Sequence, residues 1–129
     1  MTADFRRPDG EPAEPGRVAF HHEDGVAVVV MRGEHDLSTA PELGEALTQA
    51  RLHSNVVVDL SDCALIDSTV IGLLITTAKT LQAGGEQLVL AVPSGDSLVS
   101  RVVGMTRLAD IFPVHPSRGE AVASLARRS

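Results

Sequence analysis

The chain has no tryptophan, no tyrosine and only three phenylalanines. Because 43% of its residues are nonetheless hydrophobic, the core has to be aliphatic, built from Val, Leu, Ile and Ala. No aromatic platform exists on which nucleobases could stack. Basic residues are also in deficit: 11 Lys and Arg stand against 17 Asp and Glu, for a net charge of −6. Nucleic acid needs a concentrated basic face, so it is excluded as a partner, and the acidic balance reads as a solvated surface. A lone cysteine, Cys63, rules out an internal disulfide and a zinc site made of thiolates; it reads as a small buried hydrophobe.

Long apolar runs are missing as well. None approaches the roughly 20 residues of a membrane span, and residues 1–16 form no signal peptide, because Pro8, Gly10, Pro12, Pro15 and Gly16 interrupt them. Residues 1–16 read as a disordered tail. The expectation is a soluble, cytoplasmic protein with no membrane contact. A length of 129 residues supports a single core and is too short for two.

What is present is regular. Two strands, 18–21 and 26–33, flank Glu23-Asp24-Gly25, a hairpin signature. A helix starts near Ser38-Thr39, where Thr39 and Glu42 have capping-box spacing and Pro41 suits the first turn. Leu43, Ala46, Leu47 and Ala50 share one face of it. A strand over 56–60 is almost continuously apolar, as in a strand covered on both sides. A short connection and a second apolar pair then lead to a helix over 68–82. Its predicted inner face is Ile71, Leu74, Ile75, Ala78 and Leu81, and Gly84-Gly85 stops it. A strand over 87–92, a helix from Leu98 to about Met105, a short strand over 112–114 and a helix over 118–128 complete the chain.

Strands separated by helices imply right-handed crossovers. The fold class is therefore α/β, with a mostly parallel sheet, an antiparallel pairing at its N-terminal end and helices packed against it. Sites in such sheets gather at the carboxyl ends of the strands. Gly33-Glu34-His35-Asp36 follows one strand and Ile66-Asp67-Ser68-Thr69 another, so Asp36, Asp67 and Ser68 form a candidate constellation. Ser68 stands at the start of a helix, where a side chain can cap the helix or be chemically addressable. Val70 and Leu73 lie off the predicted inner face and suggest a docking surface.

A Ser–His–Asp hydrolase is the enzymatic alternative. His21 and His22 lie in or beside the first strand, His53 ends a helix and His115 follows a short strand, which leaves His35 alone near Ser68. No Gly-x-Ser-x-Gly elbow is present. The histidines are too scattered for metal-ligand spacing, with exposed structural histidine the default reading. There is also no Gly-x-x-x-x-Gly-Lys or Gly-x-Gly-x-x-Gly cradle. No metal, cofactor or catalytic residue is expected.

Five segments in order carry a resemblance: residues 33–40, 57–60, 66–69, 101–103 and 111–114. Together they resemble the STAS domain, and more narrowly the bacterial anti-sigma factor antagonists. The likeness spans roughly residues 18–126, making 17–129 the domain. It implies a binding protein. In that family the serine after the aspartate is phosphorylated by a partner that is both serine kinase and anti-sigma factor; the unphosphorylated form binds this partner and frees a sigma factor, and a serine phosphatase resets the switch. Carried over, Ser68 is the acceptor, with Thr69 its rival. Asp36, Asp67, Thr69, Val70, Leu73 and Glu34 are the implied partner-binding residues, with Glu34 at the acidic position of the Gly-Glu-x-Asp turn. A monomer or weak dimer is implied. Two positions depart from the family: Val70 and Arg107 stand where glycine is usual. The alternative is a STAS scaffold or ligand-sensing module of a larger signalling complex, in which Ser68 is a structural helix cap.

Overall fold

Three stretches of strand are buried along their whole length, residues 26–31, 56–60 and Leu88–Ala91, and the molecule is organised around covering them. The computed structural model describes residues 15–52, 55–93, 95 and 97–126. In chain order these form β1 (Arg17–Glu23), β2 (Val26–His35), α1 (Ala40–Arg51), β3 (Val56–Ile66), α2 (Ser68–Ala83), β4 (Leu88–Ala91), α3 (Leu98–Met105), β5 (Val114–His115) and α4 (Arg118–Ala126). The sheet order is β1-β2-β3-β4-β5. β1 and β2 are antiparallel, and every other neighbouring pair is parallel. The expected α/β architecture is what forms.

Alternation along the strands divides the core in two. Ala27, Val29, Met31, Val56, Val58, Leu60, Leu88 and Leu90 lie under α1, α2 and α3. On the other side, Val26, Val28, Val30, Val57, Val89 and Ala91 meet Ala121, Val122 and Leu125 of α4. β1 is the outer strand beside β2. It joins β2 through Asp24 and Gly25, both at positive φ (51° and 78°), as a two-residue type I′ turn demands.

Several expectations shift. β3 does not stop at Leu60 but continues to Ile66, because β2 also runs on and the pairing persists through two register shifts, between Val30 and Arg32 and between Gly33 and Glu34. Each shift places an extra residue in β3, a bulge that a strict alternation pattern hides. The last strand is 114–115, and Phe112 is instead a fully buried core residue. The Thr39–Glu42 capping box is absent. A 3-10 turn (Leu37–Thr39) precedes α1, and the Thr39 hydroxyl lies 3.2 Å from the carbonyl of Asp36 without capping α1. Pro41 does lie in the first turn of α1.

The buried face of α2 is also turned. It comprises Val70, Leu74, Thr77, Ala78 and Leu81, with Ile71 and Ile75 only half-buried. This helix is apolar around most of its girth, so its sequence permits more than one phase, and packing chose between them. At its end Gly85 (φ 82°) lets Glu86 N–H reach the Leu81 carbonyl and Gly85 N–H the Gln82 carbonyl, a Schellman stop.

Residues 1–14, most of the expected tail, lie outside the described residues, as do His53 and residues 127–129. Pro15 and Gly16 are not tail. Pro15 bridges Glu34. A Cβ on Gly16 would stand 2.5 Å from the Glu34 carbonyl oxygen and 2.9 Å from both His35 Cε1 and Thr39 Cγ2.

Among the described residues, one carboxylate is buried inside the sheet. Asp59, 2% exposed, accepts from Ser61 N–H at 2.9 Å and from Arg118 Nε at 2.7 Å. Arg118 also reaches Glu23 at 3.3 Å, tying β1, β3 and the start of α4 together. Burial pushes the Asp59 carboxyl up, but hydrogen bonds from Ser61 and the Arg118 charge outweigh it and leave the group below its ordinary range. A carboxyl lowered by folding stabilises the fold above its unfolded pKa of about 3.9 and loses that contribution as pH falls through the folded value. Acid titration of urea stability should therefore show a loss beginning near pH ~4, and Asp59→Asn should flatten that limb while lowering stability at neutral pH.

Arg107 has the left-handed conformation (φ 58°, ψ 34°) and donates from Nε to Asp110 Oδ2 at 2.8 Å. That backbone explains why glycine is usual there: a side chain in this region costs about 1–2 kcal/mol. The exposed ion pair returns little of it. Arg107→Gly is expected to raise stability by about 0.5–1 kcal/mol after the added chain entropy of glycine is subtracted, read as a higher urea midpoint at unchanged slope.

Candidate functional site

β2 and β3 end level with each other. Their last pair is His35 opposite Ile66, so the next residue on each neighbouring strand is an aspartate. Asp36 (φ −140°, ψ −163°) and Asp67 (φ −107°, ψ −178°) are both extended, and each caps the helical turn that follows it. Asp36 Oδ1 accepts from Ser38 N–H at 2.8 Å and from the Ser38 hydroxyl at 2.6 Å. Asp67 Oδ1 accepts from Val70 N–H at 3.0 Å. Two short polar side chains thus close two strand-to-helix junctions side by side. The Ser38 hydroxyl, and then its N–H, hold the exposed Asp36 carboxyl below the usual carboxylate range, so it is ionised at neutral pH.

Ser68 is the first residue of α2 and is exposed. Its hydroxyl makes no hydrogen bond among the described residues. The helix cap is Asp67, so the reading of Ser68 as a structural cap does not hold: at N1 the backbone is already helical, and the capping geometry belongs to the residue before it. Thr69, Leu73 and Glu34 are half-buried. Glu34 lies opposite Leu65 in β3, one pair back from the strand ends. Val70 is fully buried and cannot be a contact residue. Its N–H donates to Asp67 Oδ1 and its side chain packs into the core, so a β-branched residue there leaves the surface around Ser68 unaltered.

His35 is also not what its position suggested. Far from being exposed, it is 0% exposed. Nε2 lies 2.9 Å from the Arg32 carbonyl and 3.2 Å from the Arg17 carbonyl, and Nδ1 lies 3.0 Å from the Thr39 hydroxyl. Two acceptors at Nε2 place the proton there. With both nitrogens engaged, His35 clamps β1, the end of β2 beside the bulged part of β3, and the turn after it, and it is not free to activate a hydroxyl. No signal in the sequence distinguished this clamp from a catalytic histidine. Cys63 is buried as expected, and burial pushes its thiol up to about 11, which makes it unreactive. Among the described residues no cluster of His, Cys, Asp or Glu could hold a metal, and no helix is long and apolar enough to cross a membrane.

The division of labour between Asp67 and Ser68 can be measured as stability. Asp67→Ala removes a cap and should cost about 1 kcal/mol, whereas Ser68→Ala should stay within about 0.5 kcal/mol of the parent in urea denaturation.

Comparison with known proteins agrees with this architecture. The family model described as the STAS domain matches residues 17–121. Anti-sigma-B factor antagonist from Staphylococcus aureus is 32% identical over 95 residues, covering 72% of this chain and 86% of that protein. The protein of the same description from Listeria monocytogenes is 33% identical over 94 residues, covering 71% and 81%. Among solved structures, an anti-sigma factor antagonist from Mycobacterium paratuberculosis superposes with a TM-score of 0.73 at 27% identity, over 94% of this chain and 98% of that one. The chain belongs to the STAS domain family and, within it, to the anti-sigma factor antagonists, which are regulatory proteins and not enzymes.

Proposed function

We propose that this protein binds an anti-sigma factor that is also a serine kinase, that binding releases a sigma factor, and that phosphorylation of Ser68 ends the interaction. The observation that carries the reading is an exposed hydroxyl with no structural duty, next to Asp67 on the rim of the sheet where the neighbouring strand ends in Asp36. In the proposed step Ser68 Oγ attacks the γ-phosphorus of ATP held by the kinase. An O–P bond forms, the bond to ADP breaks, and the serine proton goes to a base of the kinase, since His35 is engaged elsewhere. A serine phosphatase would hydrolyse the ester and restore the hydroxyl. The cytoplasm is the compartment in which these partners would meet.

The physical logic is an asymmetry between fold and interface. Phosphorylation adds about −1.5 to −2 charge. At a helix N-terminus that charge is tolerated, with about 0.3–1 kcal/mol of favourable dipole interaction. Against an acidic group of a docked partner the sign reverses: two like charges about 4 Å apart at an effective dielectric of about 20 repel by about 4 kcal/mol, close to a thousandfold in affinity. Asp36, ionised and exposed, already makes the rim negative. The switch therefore acts on binding and leaves the fold in place. Thr69, half-buried, is the poorer acceptor.

Two measurements test this. In pull-downs from native extract, the parent and Ser68→Ala should recover an ATP-binding kinase and Ser68→Glu should not, with affinities for the purified partner separated by at least about a hundredfold. Equal binding by Ala and Glu variants would remove Ser68 as the switch. Phosphosite mapping after incubation with that kinase should place the phosphate on Ser68; phosphate on Thr69 would transfer the role.

A further inference from the structure

Arg17 of β1 and Arg32 of β2 are directly opposed in the antiparallel pair. Cross-strand partners project to the same side of a sheet, so both belong to the side that α4 covers over Val26, Val28 and Val30. Both arginines are exposed. Like charges directly opposite each other destabilise such a pair, and little here offsets them. The Arg17 guanidinium has no ion-pair partner among the described residues. Among the described residues Arg32 has only Asp62, at 3.8 Å, with the two side chains 61% and 69% exposed; a contact that long and that wet contributes little. Among the described residues of a protein with net charge −6, this is a concentrated and only weakly compensated positive spot.

The two arginines also share a cavity. Together with Pro15 and Gly33 they line a cleft of about 250 Å³. Gly33, at φ 76°, contributes backbone and no side chain to its wall. The volume falls below the roughly 300–1,000 Å³ of drug-sized pockets, so it suits a small ion. A guanidinium presents a planar fork of donors that matches an oxyanion edge, and two opposed forks match a tetrahedral dianion better than a single carboxylate.

We propose that Arg17 and Arg32 form a binding site for a phosphate-class oxyanion. The site stands apart from the Ser68 reading and does not depend on it. Binding neutralises the opposed charges and displaces the loose Asp62 contact, so Asp62 acts as the competitor within the protein.

Titration of the isotope-labelled full chain with inorganic phosphate, against sodium chloride at matched ionic strength, tests the site through the amide signals of Arg17, Arg32 and Gly33. Phosphate should produce saturable shifts in the millimolar range that chloride does not. Acetate should act far more weakly. Arg17→Gln and Arg32→Gln should each weaken binding about tenfold. Arg32→Lys, which keeps the charge and loses the fork, should also weaken it. Asp62→Asn should tighten binding severalfold. Since each Gln variant relieves a like-charge contact, both should fold, as their amide spectra will report, and both should be at least as stable as the parent without phosphate. Shifts reproduced by chloride, equal responses to acetate and phosphate, or parental affinity in both Gln variants would each overturn the assignment.

Discussion

The parallel pairing of β2 with β3 is the constraint on which everything else rests. It begins at Ala27 opposite Val56, absorbs two bulges in β3 and ends at His35 opposite Ile66. Without the two extra residues the strands would end out of step, and Asp36 and Asp67 would not emerge side by side. Bulges re-aim a strand; here they bring two capping aspartates to the same rim. The buried His35 ring, held by carbonyls of β1 and β2 and by the Thr39 hydroxyl, fixes where that rim begins.

A surface built this way keeps the groups that stabilise the fold apart from the proposed switch. The fold is secured by two aliphatic layers, by the Asp59–Arg118–Glu23 bonds beneath α4 and by Asp67 as the cap of α2. Ser68 contributes to none of these. Its neighbour takes the structural role and leaves the serine oxygen to solvent, which is the condition for changing charge there without disturbing the core. Similarity to the staphylococcal and listerial antagonists supplies the family, and this local arrangement supplies the surface on which the proposed switch rests.

The sequence also misled in informative ways. Val70 looked like a surface residue and is a core residue, since α2 is apolar on nearly every side and periodicity cannot fix its phase. His35 looked like a possible base and is a clamp, because alternation along β2 says which side a residue faces but not which carbonyls await it. Thr39 and Glu42 had capping spacing, yet the turn capped by Asp36 was interposed and the hydroxyl found other partners. Arg107 stood out only by resemblance; its left-handed backbone supplies the reason.

The sequence by itself determined the class of sheet, the order of its elements and the position of Ser68 at a strand-to-helix junction. Those follow from local signals: buried β-branched runs, helical spacing, Gly and Pro stops, and an aspartate before a helix. Tertiary structure alone decided the length of β3, the phase of α2, the choice of Asp67 over Ser68 as the cap, and the meeting of Arg17 with Arg32 across a strand pair. Each of these depends on which residues the register sets opposite one another, and register is a property of two strands at once.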